Sequence, residues 1–90
     1  MKRIYKYKLN YDQSQKVILP PDAKILAVGA QGDDIFIWAM VDPMDIPTST
    51  RCIEIYGTGH DIPDTDLYVR NYLGTVHMRN GLVWHVFEKY

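Results

Sequence analysis

Most of the features that announce a function are scarce or missing in this chain. It holds one cysteine, Cys52, so no disulfide can form within it, and a lone thiol fits a reducing compartment. No apolar run approaches the ~18–20 residues of a membrane span. The opening MKRIYKYKLN carries charge but no following apolar stretch, which is not the pattern of a secretion leader. The net charge is −1, from 10 basic and 11 acidic side chains, and such a balance offers no general field for duplex DNA or anionic lipid. No segment keeps an apolar period of 3.6 for ten residues, which argues against a long helix. Catalytic signatures are missing too: there is no Gly-x-Ser-x-Gly and no phosphate loop ending in Gly-Lys-Ser/Thr. His60, His77, His85 and Cys52 share no zinc spacing. The expectation is a protein with no resident metal and no cofactor.

What is there in quantity is aromatic and apolar surface. Hydrophobic residues make up 47% of the 90 positions and aromatics 12%, including seven tyrosines and two tryptophans. That is enough for one core and argues against disorder. Strict alternation recurs in short runs. Arg3 to Leu9 places Tyr5, Tyr7 and Leu9 on one face and Ile4, Lys6 and Lys8 on the other, a half-buried strand with lysines facing water. Tyrosines and lysines on opposite faces count against nucleic-acid binding by this run. Lys16 to Leu19 is a short strand stopped by the Pro20-Pro21-Asp22-Ala23 turn.

Lys24 to Gln31 and Ile35 to Asp42 form a hairpin through Gly32-Asp33, with Gly placed for a type II′ turn. That register pairs Ala30 with Ile35, Val28 with Ile37 and Leu26 with Ala39. The reverse face, with Phe36, Trp38 and Met40, is also apolar, so the hairpin needs cover on both sides, from a second sheet or a second subunit. Arg51 to Tyr56 alternates with Ile53 and Ile55 inward and Glu54 and Tyr56 outward. A final hairpin, Tyr72 to Tyr90, turns at Asn80-Gly81. A two-residue type I′ turn there pairs Met78 with Val83 and Val76 with His85, and sets Val76, Met78, Val83, His85 and Phe87 on one face. Trp84 then falls on a mixed face, under a loop or a partner. The fold expected is all-β, a small antiparallel β-sandwich or partly open barrel of about seven short strands, in a single domain over residues 1–90. At most one short helical turn is allowed, at Asp64 to Arg70.

The most unusual stretch is the loop Gly57-Thr58-Gly59-His60-Asp61. Glycines on either side of Thr58 free the backbone to present N–H groups to an anion, and His60 and Asp61 add a titratable pair. A ligand there would be lined by Gly57, Thr58, Gly59, His60 and Asp61, its charge met by Arg51, Arg70 or Arg79. The alternative is a tight connection with His60 bonded to the backbone. Phe36, Trp38, Met40 and Trp84 are the candidate interface residues, in a homo-oligomer or against a partner.

Several stretches together carry a resemblance: IYKYKL, WAMVDP at Trp38–Pro43, the GTGHDIP loop, and the closing GTV and VWHVFE. They resemble a family of small, uncharacterised proteins found in bacteriophages and in prophage-like regions of bacterial genomes. The resemblance implies a phage accessory protein in the infected bacterial cytoplasm, and carries over no catalytic residue. Such proteins block a host factor, immune systems included, or sequester a small anionic nucleotide signal. The expectation is therefore a non-enzymatic binding protein. Its rivals are a small nucleotide hydrolase or lyase using His60 and Asp61, and a structural virion component.

Overall fold

The computed structural model describes residues 1–63 and 70–90. Its seven strands are β1 (Arg3–Leu9), β2 (Ser14–Leu19), β3 (Lys24–Gln31), β4 (Asp34–Val41), β5 (Ser49–Gly57), β6 (Arg70–His77) and β7 (Val83–Lys89). All pair antiparallel, in a three-stranded sheet of order β1-β4-β3 and a four-stranded sheet of order β2-β5-β7-β6. The two sheets pack as a small sandwich, with β3 lying across from β6 and no closure into a barrel. The helical-turn alternative concerned residues 64–69, which lie outside the described residues, and Arg70, which opens β6.

The core follows from alternation. In β4, Ile35, Ile37, Ala39 and Val41 are buried, while Phe36, Trp38 and Met40 between them are only partly covered. β1 sets Tyr5, Tyr7 and Leu9 opposite Ala39, Ile37 and Ile35. From the other sheet, Ile53, Ile55, Val76, Met78 and Val86 complete the main cluster, and Leu19, Ala23, Ala39 and Val41 form a smaller one. The Pro20–Ala23 turn is closed by Ala23 N–H donating to Pro20 O (3.3 Å), with Asp22 at φ 60°.

Three irregularities change the expected faces. In the β3–β4 hairpin the pairing holds from Gln31 to Ala27, with Gly32 at φ 61° in the turn. A bulge at Leu26 then inserts one residue, so Ile25 rather than Leu26 faces Ala39, and Leu26 is 40% exposed. In the β6–β7 hairpin the turn is longer than two residues. Gly81 N–H donates to Met78 O (3.0 Å) and Met78 N–H to Leu82 O (2.8 Å); only Gly81 (φ 91°) has positive φ there, where a type I′ turn needs Asn80 positive as well. The loop Arg79-Asn80-Gly81 therefore shifts the register by one: Val76 faces Trp84, and Thr75 faces His85. A one-residue slip exchanges faces. Trp84 and Val86 join Val76 and Met78 inside, whereas Val83, His85 and Phe87 go to the outer face. A second bulge at Leu73 sends Tyr72 out beside Phe87. His77 and His85, expected on opposite faces, share the outer one.

The outer face of the four-stranded sheet is not simply solvated. Tyr56 and Glu54 are outward, as expected, yet buried. Phe87 meets the Tyr56 ring edge-on (6.0 Å) and the Tyr72 ring at a tilt (5.3 Å). Glu54 accepts from Arg70 Nε at 2.6 Å, and Arg70 Nη1 reaches Pro63 O at 3.0 Å. Burial is the main cause that pushes the Tyr56 phenol up from its ordinary value, and the nearby Glu54 charge adds to it.

Candidate functional site

The Gly57–His60 segment is a β-turn. His60 N–H donates to Gly57 O (3.0 Å), and Gly59 sits at φ 88°, the position of a type II turn that a side chain resists. The ring folds back as well, with Gly57 N–H donating to His60 Nδ1 (3.1 Å). His60 thus caps an amide, which fixes its tautomer with the proton on Nε2. A Cβ at position 57 would lie 2.8 Å from His60 Cε1, so this arrangement requires glycine there. Two backbone N–H groups are spent inside the turn, which leaves less of an anion nest than the glycines suggest.

Beside this turn lies an open cleft of about 280 Å³, lined by Gly57, Thr58, His60, Gly81, Leu82, Val83 and Trp84. The β5–β7 register builds it: Gly57 pairs with Trp84, so the end of β5 and the β6–β7 turn face each other across the gap. Trp84 is the wall. Its ring is met by Tyr11 (5.9 Å) and by the edge of His60 (6.4 Å). Its Nε1–H is shut off from solvent and has no acceptor among the described residues. Burying such a donor unpaired costs about 1–3 kcal/mol.

Behind Thr58 runs a chain of polar groups. Thr58 Oγ1 and His85 Nε2 are 2.8 Å apart, His85 Nδ1 and Thr75 Oγ1 3.2 Å, and Thr75 Oγ1 bonds the Tyr72 hydroxyl. A neutral imidazole donates from one nitrogen and accepts at the other, so the chain runs in one of two directions. In one, His85 donates to Thr58 and leaves the Thr58 hydroxyl proton for the cleft. In the other, His85 accepts that proton. Sequence reasoning missed His85 and Thr75 because the assumed turn put His85 in the core. The signal that finds them is the pairing of Tyr56 with His85 across β5 and β7.

Of the residues expected at a ligand, Gly57, Thr58 and His60 line the cleft, with Gly59 in the same turn. Asp61 is exposed beside them, and it makes no hydrogen bond or ion pair with His60. The arginines lie elsewhere. Arg51 forks onto Glu88 through Nε and Nη2 and reaches Ala23 O from Nη1 at 2.9 Å. Arg70 holds Glu54, and Arg79 joins the two hairpin turns by a bidentate pair with Asp33 (2.7 and 2.9 Å). Among the described residues no group of three His, Cys, Asp or Glu could hold a metal ion. Of the expected interface residues, Phe36, Trp38 and Met40 form a row on the outer face of the three-stranded sheet, and Trp84 belongs to the cleft.

Comparison with known families adds one finding. A family model described as a domain of unknown function, DUF7352, matches residues 1–90. The chain belongs to that family. No curated protein and no solved structure matches this DUF7352 member.

Proposed function

We propose that this protein is a non-enzymatic accessory binding protein of a phage, acting in the infected bacterial cytoplasm by sequestering a small nucleotide-type signal of the host. The observation that carries the reading is the cleft beside Trp84, where a flat apolar wall stands next to two polar groups, Thr58 Oγ1 and His60 Nε2, on a turn. A base ring stacks on the indole, and its acceptor groups meet Thr58 and His60. At about 280 Å³ the cleft is just under the range of roughly 300–1,000 Å³ typical for small-molecule sites. The phage context rests on the resemblance of the motifs.

The test is native mass spectrometry of protein freshly purified from bacterial cells. A retained mass of one nucleotide-sized molecule, lost in His60→Ala, is the expected result. A bare species, with no change in Trp fluorescence on adding mononucleotides, would sink the sequestration reading and point to a host protein as target. One observation favours a second reading, a small hydrolase: the 2.8 Å contact between Thr58 and His85 is the spacing of a hydroxyl and its general base. Release of product from nucleotides by the purified protein, abolished in Thr58→Val, would move the assignment there.

A further inference from the structure

The outer face of the β1-β4-β3 sheet combines three features that the sequence keeps apart. Along β1, tyrosines and lysines alternate to opposite sides. Across the strands, however, Lys6 pairs with Trp38 and Lys8 with Phe36, so the lysines of β1 share a face with the aromatics of β4. Lys24, from β3, joins them opposite Met40. Basic and aromatic groups are thus interleaved across the sheet instead of along a strand.

Trp38 lies as a platform, with the Phe36 ring tilted by 50° beside it. A Cβ at Gly29 would be 3.2 Å from Trp38 Cζ3 and 3.6 Å from Cη2, so the six-membered ring rests on the bare backbone of β3 and lies flat. Phe36 follows, its centroid 6.0 Å from that of Trp38. Lys6 Nζ spans the sheet above Phe36, 4.7 Å from the ring centroid and 2.7 Å from Gln31 Oε1. That ammonium is exposed and held by one neutral acceptor. On this face the three strands carry Lys6, Lys8 and Lys24 against a single acid, Asp34, which sits 3.5 Å from Lys8. A chain with a net charge of −1 has gathered positive charge around this aromatic pair.

We infer that this face binds single-stranded nucleic acid, with a base stacked on Trp38 and phosphates held by Lys6, Lys8 and Lys24. A second copy of the chain is a poorer occupant. Stacked face to face, two copies would oppose their lysines, whereas a polyanion turns the same lysines into attraction. Duplex DNA keeps its bases inside and offers nothing to the rings. The inference is independent of the cleft, which lies at the β5–β7 end of the other sheet.

Fluorescence anisotropy of a labelled twelve-nucleotide oligo(dT) and its RNA counterpart tests it. Phosphate contacts by three lysines give a slope of log affinity against log salt of about −2, so binding weakens about 20-fold between about 50 and 200 mM salt. Trp38→Ala weakens it by at least about 5-fold, the low end for loss of one stacked base. Because Trp38→Ala can also loosen the sheet, the exposed pair Lys6→Glu with Lys8→Glu serves as the second variant. It abolishes binding while circular dichroism stays unchanged. No saturable binding at about 50 mM salt, equal affinity for duplex, or binding indifferent to the lysine reversal would overturn the inference. So would a dimer in solution that the lysine variants alter, since that makes the face a contact between copies.

Discussion

The Arg51–Glu88 pair offers the sharpest test of how this small domain is held together. Both residues point between the sheets, at the end where the β2–β3 turn closes the core. Glu88 is 5% exposed and Arg51 23%, and the guanidinium makes two bonds to the carboxylate and one to Ala23 O. The Glu88 partnership raises the Arg51 pKa further above its ordinary value. Arg51→Met keeps the aliphatic stem but leaves a carboxylate without its cation and a carbonyl without its donor. Removing one partner of a buried pair costs about 3–5 kcal/mol; the partial water access of Arg51 points to the low end, about 3. For a domain of this size that lowers Tm by roughly 12–24 °C. Urea unfolding followed by tryptophan fluorescence measures it. Replacing both residues, Arg51→Met with Glu88→Met, removes the uncompensated charge and is expected to recover most of the loss. A loss below about 1 kcal/mol in the single variant, or a double variant no better than the single, would refute the reasoning.

Two further outcomes follow from the packing. Gly74, at φ 155° on β6, has no room for a side chain, since a Cβ would lie 2.8 Å from Val28 Cγ2 on the opposing sheet. Gly74→Ala is expected to cost about 2 kcal/mol by overpacking, partly recovered by Val28→Ala in the same chain; the readout is again urea unfolding. Tyr7 and Tyr56 are both pushed above the ordinary phenol value of 10.0, chiefly by burial. The folded chain keeps protons there that the unfolded chain gives up, so this contribution is whole below pH 10.0 and fades as pH rises through the raised values. Tyrosinate absorbance against pH should show two late-titrating phenols in the native protein and none in urea.

Alternation made much of the fold legible. DIFIWAMV reads as a strand with a buried and a half-covered face, and β4 has both. Gly32-Asp33 set the hairpin register as far as Ala27↔Trp38. Period-two reasoning failed where one residue was added, because an inserted residue leaves no mark in the alternation itself. Leu26 and Leu73 are such insertions, and both look like ordinary strand residues in sequence. Asn80-Gly81 was recognisable as a turn, but the dipeptide serves a two-residue I′ turn and a three-residue loop ending in a left-handed Gly equally well. That single ambiguity moved Trp84 to the inner face, beside the core, and His85 to the outer one. The ion pairs could not have been found locally: Arg51 and Glu88 are 37 positions apart, and Arg79 and Asp33 are 46.

The same error explains why the site was half visible. Gly57, Thr58 and His60 announce themselves, because glycines around a threonine are costly in a strand and must serve a turn. What makes that turn more than a connection arrives from another hairpin. With the two-residue turn, His85 stacks into the core opposite Val76 and Thr58 has no partner. With one more residue in the loop, His85 comes to the outer face between Tyr56 and Thr75, where it reaches Thr58 at 2.8 Å. The polar chain from Tyr72 to Thr58 therefore depends on the length of a loop it does not touch. Deleting one of Arg79, Asn80 or Gly81 would restore the tighter turn and force β7 to choose between its pairing with β5 and its pairing with β6. β5 is a central strand held by β2 on its other side, whereas β6 is the edge strand and already carries the bulge at Leu73, so the strain should fall on β6, and Thr75 rather than Thr58 should lose His85.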